Sequence, residues 1–164
     1  MNLSDIKKAY FVGVGGIGVS AILRLFAERG IAISGSDMHL PPSDTLPPGQ
    51  YYDGHRSENL SEDVDVVVYS PAVPEHNPER KKAKDLRIKE LSYPEALALV
   101  TRDHNTIAVS GTHGKSTTTA LVGKLFEGGY LHPSVIVGAE VPDWEKRNLL
   151  IGSSDIFIVE ACEY

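Results

Sequence analysis

The first forty residues alternate between short apolar runs and a helical repeat of hydrophobic positions. The run 10–14 enters a glycine-rich stretch and predicts a buried strand. Across 17–29, apolar residues recur at the spacing of an amphipathic helix, and Gly30 follows at a C-cap position. A second apolar run at 31–34 predicts another strand. Strand, helix and strand in this order predict a βαβ unit with parallel strands.

The middle of the chain is interrupted by prolines. Residues 38–54 contain four of them together with glycines, which excludes a regular helix through that segment. Beyond it, the pattern predicts a strand at 64–69 and short helices at 79–86 and 93–101.

The strand and helix pattern starts again after residue 105. It predicts a strand at 106–110, a glycine loop, a helix at 115–127, and strands at 135–137 and 156–159. We therefore expect an α/β protein with a Rossmann-like parallel-sheet domain at 1–101 and a second α/β domain starting at 106. The second domain, over 106–164, is expected to be truncated because strands that would complete its sheet are missing.

The composition is that of an ordinary globular protein, with 41% hydrophobic and 23% charged residues. A formal charge of −6 without a basic stripe argues against nucleic acid as a partner. The single cysteine, Cys162, excludes an intramolecular disulfide and is typical of a reducing compartment. The sequence has no apolar run of membrane-spanning length and no signal-peptide pattern. These features predict a cytoplasmic protein with no membrane partner.

The first glycine loop, Gly13-x-Gly15-x-x-Gly18, lies between a predicted strand and a predicted helix. There the first glycine permits a tight turn, the second lets the backbone approach a diphosphate, and the third lets the helix pack on the strand. A diphosphate would lie at the helix N-terminus, where the dipole favours negative charge. Asp37 stands where dinucleotide-binding folds place a ribose-binding acid. The motif alone fits NAD, a UDP-sugar or a tight turn without a ligand.

The second glycine loop is a sharper signal for phosphate binding. Gly114-Lys115-Ser116 matches the end of a phosphate loop, where amides surround phosphates, lysine reaches the β and γ oxygens, and the hydroxyl binds Mg²⁺. Val109 occupies the usual first glycine position, so the loop is a shortened variant that indicates a P-loop-type ATPase domain. Glu160, at the end of a predicted buried strand, fits either a Mg²⁺ ligand or a solvated carboxylate.

Together and in this order, the two loops resemble those of the Mur ligases, which build peptidoglycan precursors. The strings that carry the resemblance are at 11–21, 35–37, 70–73, 110–119, 135–138 and 159–163. They extend over nearly the whole chain, which would cover the family's first domain and the opening of its second. Within the family the sequence is most similar to the ligase that joins L-alanine to UDP-N-acetylmuramate.

The resemblance implies a UDP-sugar-binding domain at 1–101 and the start of the central ATP-binding domain at 106–164. UDP-N-acetylmuramate would contact Gly13, Gly15, Gly16, Ile17, Gly18, Ser36, Asp37 and Ser70. ATP would contact Gly111, Thr112, His113, Gly114, Lys115, Ser116 and Thr117. Lys115 would be the catalytic residue that takes the β- and γ-phosphates, while Ser116 and Glu160 would bind Mg²⁺.

The implied reaction belongs to the whole ligase. The γ-phosphate of ATP passes to the lactyl carboxylate, and the amine of L-alanine attacks the acyl phosphate to form an amide. L-alanine would bind a C-terminal domain that this chain lacks. Because transfer requires all domains to meet at one site, we expect the chain alone to bind ligands weakly and to show no alanine-dependent release of ADP.

Three other interpretations remain open from the sequence. An NAD-binding oxidoreductase fragment would explain the first glycine loop and Asp37, but it leaves the second loop without a role. A murein-tripeptide recycling ligase shares the His-Gly-Lys loop but differs in its first glycine region. A non-catalytic module that holds a UDP-sugar for regulation is the third.

Several other residues receive no role from the sequence. His55, His76, His104 and His132 are predicted to be surface histidines, because their spacing fits no metal site. Trp144 is predicted to lie at the surface, as is the acidic run 58–65. Cys162 is predicted to be a small apolar residue without a redox role. Residues 38–54 depart from the resemblance, since the family usually has a helix and a strand there.

Overall fold

A computed structural model describes residues 1–144 and 148–161 of the chain. The chain divides into two compact units, Met1–Val100 and Thr101–Tyr164. Largely parallel sheets with accompanying helices confirm the predicted α/β class. Within the described residues, no helix is both long and apolar enough to cross a membrane. Cys162, which the sequence singled out, lies outside the described residues.

The first unit is built on a five-stranded parallel sheet. Its strands are β1 (Lys8–Val12), β2 (Ala32–Asp37), β3 (Gln50–Asp53), β4 (Val66–Tyr69) and β5 (Lys89–Ser92). The order across the sheet is β3-β2-β1-β4-β5. Every strand pair is parallel. Short 3₁₀ turns lie at Leu3–Asp5, Ser43–Thr45 and Ser57–Asn59. The central strand β1 is buried because neighbours cover both of its edges and helices cover its faces.

Three helices accompany this sheet: α1 (Ile17–Glu28), α2 (Pro78–Asp85) and α3 (Tyr93–Thr101). Most apolar positions of α1 are buried, and Phe26 meets Phe11 of β1 edge to face at 5.5 Å between ring centroids. Ile17, the first residue of α1, is 44% exposed. The predicted βαβ unit is therefore present, and its helix begins directly after the glycine loop.

The sequence pattern did not predict strands β3 and β5. Strand β3 lies at the sheet edge next to β2, and its residues are half-buried or exposed, so no apolar run marks it. It follows the prolines of residues 38–54, which the structure confirms as free of α-helix. Strand β5 lies at the opposite edge and has mainly polar residues. Edge strands are stabilised by pairing with a neighbour that only the tertiary fold supplies.

The second unit has a smaller, mixed sheet and one long helix. Its elements are β6 (Asn105–Val109), α4 (Lys115–Gly128), β7 (Ser134–Ile136), β8 (Leu149–Leu150) and β9 (Ile156–Glu160). The described strands lie in the order β6-β9-β7-β8, and only β8 is antiparallel to its neighbour. Strand β6 forms one edge, and most of its residues are exposed. The sequence predicted α4 and three of these strands, but not the two-residue β8.

Trp144 is buried, so the prediction of a surface aromatic was wrong. It is 7% exposed and belongs to the core of the second unit. The buried members of that core are Val135, Val137, Val141, Trp144 and Ile158. The polar residues near Trp144 in sequence concealed its burial, because a turn at 141–144 directs the indole inward.

Candidate functional site

The strand order of the first unit creates a crevice at the carboxyl ends of its strands. The chain runs outward from β1 to β2 and β3, then crosses to β4 and β5 on the other side of β1. In open α/β sheets, ligands bind where the strand order reverses in this way. A cavity of about 540 Å³ opens there, within the size range of small-molecule sites. Its lining includes Gly13, Gly16, Asp37, His55, Ser70 and Asn77.

The glycine loop after β1 has the geometry that its spacing predicts, with one difference. Gly13 has φ +89°, and a Cβ there would lie 3.0 Å from the Cβ of Ser70. Gly16 is the N-cap of α1, which leaves the first amides of the helix pointing toward the loop. A Cβ on Gly18 would lie 2.8 Å from the ring of Tyr93. The third glycine therefore lets α1 pack on Tyr93 of α3, rather than on a strand as predicted.

Asp37 ties the glycine loop to the end of β2. Its Oδ2 accepts a hydrogen bond from the Gly15 amide at 2.8 Å, and its Oδ1 accepts one from the His39 amide at 3.1 Å. A Cβ on Gly15 would lie 3.1 Å from the same Oδ2. Asp37 also lines the cavity. It thus holds the loop in place at the cavity wall, and this loop contact was not predicted.

His55 belongs to a group of buried and half-buried polar side chains, here named the Glu79 cluster: Tyr10, Ser36, His55, Asn59 and Glu79. The Tyr10 hydroxyl donates to Glu79 Oε1 at 2.9 Å, and the Ser36 hydroxyl donates to Glu79 Oε2 at 2.6 Å. Asn59 donates to Oε1 at 2.8 Å. Burial raises the pKa of the Tyr10 phenol above its ordinary value, and the charge of Glu79 acts in the same direction.

Ser36 was predicted to contact a UDP-sugar, but its side chain does not lie at the cavity. It is fully buried and does not line the cavity, while its hydroxyl is bonded within the Glu79 cluster. We therefore reassign Ser36 to support of the cavity wall. The cause is the alternation of β2, in which Ser36 and Asp37 point to opposite sides.

His55 is not the surface histidine that the sequence predicted. Its side chain is 12% exposed, and its Nδ1 lies 2.8 Å from Ser36 Oγ and 3.2 Å from Glu79 Oε2. Glu79 was missed entirely, because an acid in the first turn of a helix is commonplace on sequence grounds. The Asn77 cap, which accepts from the amides of Glu79 and Arg80, was a local signal for this turn. His76 is exposed, as predicted.

The loop 70–78, which forms one wall of the cavity, is held by Arg80. Its Nη1 donates to the Val73 carbonyl at 2.9 Å, and its Nε donates to Glu90 Oε1 at 2.8 Å. The guanidinium also lies 3.6 Å from the centre of the Tyr69 ring. The side chain of Arg80 is 6% exposed and that of Glu90 is 14% exposed, so this ion pair is largely removed from water.

We expect Arg80→Met to lower the free energy of unfolding by about 2 kcal/mol, because it leaves the Glu90 carboxylate and the Val73 carbonyl without their partner. Urea denaturation followed by circular dichroism measures this loss. Lys84→Met is the matched control on the same helix, since the Lys84–Glu75 pair is 3.6 Å long and exposed. That control should change stability by less than about 1 kcal/mol. Equal losses in both variants would contradict the role assigned to Arg80.

The phosphate-loop candidate of the second unit lies between β6 and α4. Gly114 is the N-cap of α4 with φ +74°, a conformation that favours glycine. Residues 111–114 are exposed, as is Thr117. The first amides of α4 have no intrahelical acceptor and lie where the helix dipole favours an anion. The Lys115 ammonium donates to the Gly111 carbonyl at 2.6 Å, so it lies across the loop.

Ser116 and Glu160 lie side by side, although they are far apart in sequence. Ser116 Oγ donates to Glu160 Oε1 at 3.1 Å, and the Gly138 amide donates to Oε2 at 2.7 Å. Strand pairing causes this proximity, because Glu160 of β9 is the partner of Val109, at the end of β6 before the loop. Glu160 is 6% exposed, so it is not the solvated carboxylate that the sequence left open.

Hydroxyl and carboxylate oxygens are ligands that Mg²⁺ accepts, so Ser116 and Glu160 fit a magnesium ion. Among the described residues, no group of three or more His, Cys, Asp and Glu side chains could hold a metal by itself. A Mg²⁺ site usually has one or two protein ligands and is completed by water and substrate phosphates.

Comparison with known proteins gives a family for this chain. Residues 8–46 and 49–105 match the Mur ligase family, catalytic domain. The UDP-N-acetylmuramate–L-alanine ligase of Clostridium kluyveri is 40% identical over 162 residues, covering 96% of this chain and 35% of that protein.

Two solved structures share the fold. The UDP-N-acetylmuramate–alanine ligase of Thermotoga maritima has a TM-score of 0.82 at 28% identity, covering 93% of this chain and 37% of that one. The UDP-N-acetylmuramate:L-alanyl-γ-D-glutamyl-meso-diaminopimelate ligase of Neisseria meningitidis has a TM-score of 0.86 at 24% identity. That match covers 97% of this chain and 53% of that one, and at this identity it shows the fold alone.

These matches, with the two glycine loops, define the class: the chain belongs to the Mur ligase family. Mur ligases are ATP-dependent ligases. The chain spans about 35% of the length of the curated relatives it matches, which are UDP-N-acetylmuramate–L-alanine ligases.

Proposed function

We propose that this chain is the UDP-N-acetylmuramate-binding and phosphate-loop portion of a ligase that joins L-alanine to UDP-N-acetylmuramate. The observation that carries the proposal is a pair of strand–glycine loop–helix sites in one chain. One site opens on a cavity of about 540 Å³, and the other brings Ser116 to 3.1 Å from Glu160. The 40% identity to a ligase of that name, over 96% of the chain, supports this substrate.

In the first unit, the diphosphate would lie at the amino end of α1, against Gly15 and Gly16. Gly15 is exposed beside the N-cap residue Gly16, and the dipole of α1 favours an anion at this helix end. Ser70 and Asp37 line the same cavity and would contact the rest of the nucleotide. Ile17 is exposed at the same helix end, within reach of a ligand there.

In the second unit, residues 111–117 would hold the phosphates of ATP, with Lys115 exchanging its contact to Gly111 for β- and γ-phosphate oxygens. Ser116 and Glu160 would hold Mg²⁺, which supplies electrostatic stabilisation of charge on the transferred phosphoryl group. The Gly138 amide fixes the orientation of Glu160 by binding its Oε2 at 2.7 Å. Transfer of the γ-phosphoryl group to the lactyl carboxylate would give an acyl phosphate and ADP. Attack by the amine of L-alanine would then form the amide and release phosphate.

We expect saturable binding of UDP-N-acetylmuramate to this chain, and Gly15→Asp should weaken it at least about 10-fold. The new carboxylate would lie against the Asp37 Oδ2, because even a Cβ at this position is 3.1 Å from that atom. Like charges at such a distance would also displace the loop that faces the diphosphate. Isothermal titration calorimetry measures the affinity, with NADH titrated in parallel.

Gly30→Asn is the control for this titration, at the opposite end of α1. Gly30 has φ +76°, a Cβ added there would have no atom within 4 Å, and asparagine tolerates that conformation. It should bind the UDP-sugar as the unchanged chain does. Binding of NADH alone would contradict the proposal and favour the oxidoreductase interpretation.

A further inference from the structure

The Glu79 cluster lies against the cavity of the first unit, and the proposed function leaves it without a role. Four donors reach the two oxygens of Glu79: the hydroxyls of Tyr10 and Ser36, the Arg56 amide and Asn59 Nδ2. His55 Nδ1 lies 3.2 Å from Oε2. A carboxylate only accepts hydrogen bonds, so it satisfies a set made entirely of donors. Glu79 is also in the first turn of α2, where the helix dipole favours its charge.

The hydroxyl protons of the cluster fix the tautomer of His55. Ser36 has one hydroxyl proton, and its bond of 2.6 Å to Glu79 Oε2 uses it. At the 2.8 Å contact with His55, Ser36 Oγ can therefore only accept. The proton in that contact must belong to His55 Nδ1, and Glu79 Oε2 is its second acceptor at 3.2 Å.

This tautomer leaves Nε2 of His55 as the nitrogen available to the cavity. His55 lines the cavity, while its Nδ1 edge faces Ser36 and Glu79. In a neutral imidazole with a proton on Nδ1, Nε2 is a hydrogen-bond acceptor. A ligand in the cavity would therefore meet an acceptor there, and an N–H or O–H group would be its complement.

We propose that Glu79 is a positioning residue, which holds His55 as the Nδ1–H tautomer so that Nε2 accepts a hydrogen bond from an N–H or O–H group of the bound UDP-sugar. The identity of the ligand rests on the proposed function, whereas the tautomer rests on the contacts within the cluster. His55 is the group that touches the ligand, and Glu79 acts through it. A substitution of Glu79 that reverses the tautomer of His55 should then weaken binding of the UDP-sugar, although Glu79 itself does not contact the ligand.

Nitrogen-15 NMR of the histidine rings tests the role of Glu79 without any ligand. At alkaline pH, where an ordinary imidazole is neutral, the unchanged chain should show His55 protonated at Nδ1. In Glu79→Gln the amide can donate to the ring, so the population should shift toward the Nε2–H tautomer. Glu75→Gln, at a side chain that is 82% exposed, removes the same charge outside the cluster and should leave the signal unchanged. An Nε2–H ring in the unchanged chain would overturn the proposal.

Calorimetric titration with UDP-N-acetylmuramate tests the ligand contact. His55→Asn keeps an amide donor near the Nδ1 position, so the variant should fold. It has no atom at the Nε2 position, so it should bind UDP-N-acetylmuramate about 10-fold more weakly. His55→Gln can place an amide oxygen near Nε2 and should recover part of that loss. Equal affinity of the unchanged chain and His55→Asn would overturn the contact.

Failure of the two proposals can be told apart. If the unchanged chain does not bind UDP-N-acetylmuramate, the proposed function fails together with the ligand contact. The tautomer measurement still decides the role of Glu79, because it uses the free chain. Circular dichroism of Glu79→Gln separates a lost fold from a changed tautomer, and His55→Asn provides the binding result if Glu79→Gln does not fold.

Discussion

Replacing Lys115 by alanine should weaken the binding of Mg-ATP to this chain by about 10- to 100-fold. Hydrogen bonds from a charged donor contribute about 1.5–3 kcal/mol each, which is the basis for that range. The ammonium is already at the loop, 2.6 Å from the Gly111 carbonyl. The phosphates would replace a neutral acceptor by anionic ones, which strengthens the bond. Isothermal titration calorimetry at constant ionic strength measures the change.

Lys124→Ala is the matched control, because it removes the same charge from the same helix. Lys124 pairs with Asp143 at the surface, away from the phosphate loop. Its loss should leave the affinity for Mg-ATP within about twofold, as expected of a surface charge. If Lys115→Ala and Lys124→Ala bind the nucleotide equally well, residues 111–117 are not its phosphate site.

Gly18→Val should lower the free energy of unfolding by about 3 kcal/mol, the upper part of the usual range for overpacking a core. A Cβ at this position would lie 2.8 Å from two ring atoms of Tyr93, and Tyr93 is itself buried. To make room for the new side chain, either the Tyr93 ring must shift together with α3, or α1 must move away from α3. Urea denaturation followed by circular dichroism measures the loss.

Gly16→Ala tests whether crowding against Tyr93, rather than the loss of any glycine from the loop, causes the loss of stability in Gly18→Val. Its backbone has φ −65°, and a Cβ would be 3.4 Å from the Gly13 carbonyl oxygen, so alanine should fit. Gly18→Val should also cost less in a Tyr93→Leu background, because the two side chains compete for the same space. An equal cost in both backgrounds would show that Tyr93 is not the obstacle.

The periodic elements of the chain could be predicted because their signal is local. Strand β1, helix α1 and strand β2 follow from apolar runs and one helical repeat, and the helix at 115–128 follows in the same way. The edge strands β3 and β5 could not be predicted. Their residues are largely polar or half-exposed, and their stability comes from pairing with β2 and β4.

The two glycine loops could be located from sequence, but not every contact that supports them. Spacing identified Gly13, Gly15 and Gly18, and the structure added that Gly18 faces Tyr93 and that Gly15 binds Asp37. Helix packing and the order of strands set these contacts. They join residues more than twenty positions apart, where spacing carries no information.

The sequence alone determined the parallel α/β class, the two strand–loop–helix sites and the resemblance to the Mur ligases, because each depends on short-range pattern. Only the tertiary structure brought Ser116 to Glu160 and assembled the Glu79 cluster from separate elements. It also buried Trp144 and left only 12% of the His55 side chain exposed, although the sequence predicted both at the surface. The physical reason is that a buried polar group is stabilised by partners from other elements, and the folded sheet decides which residues those are.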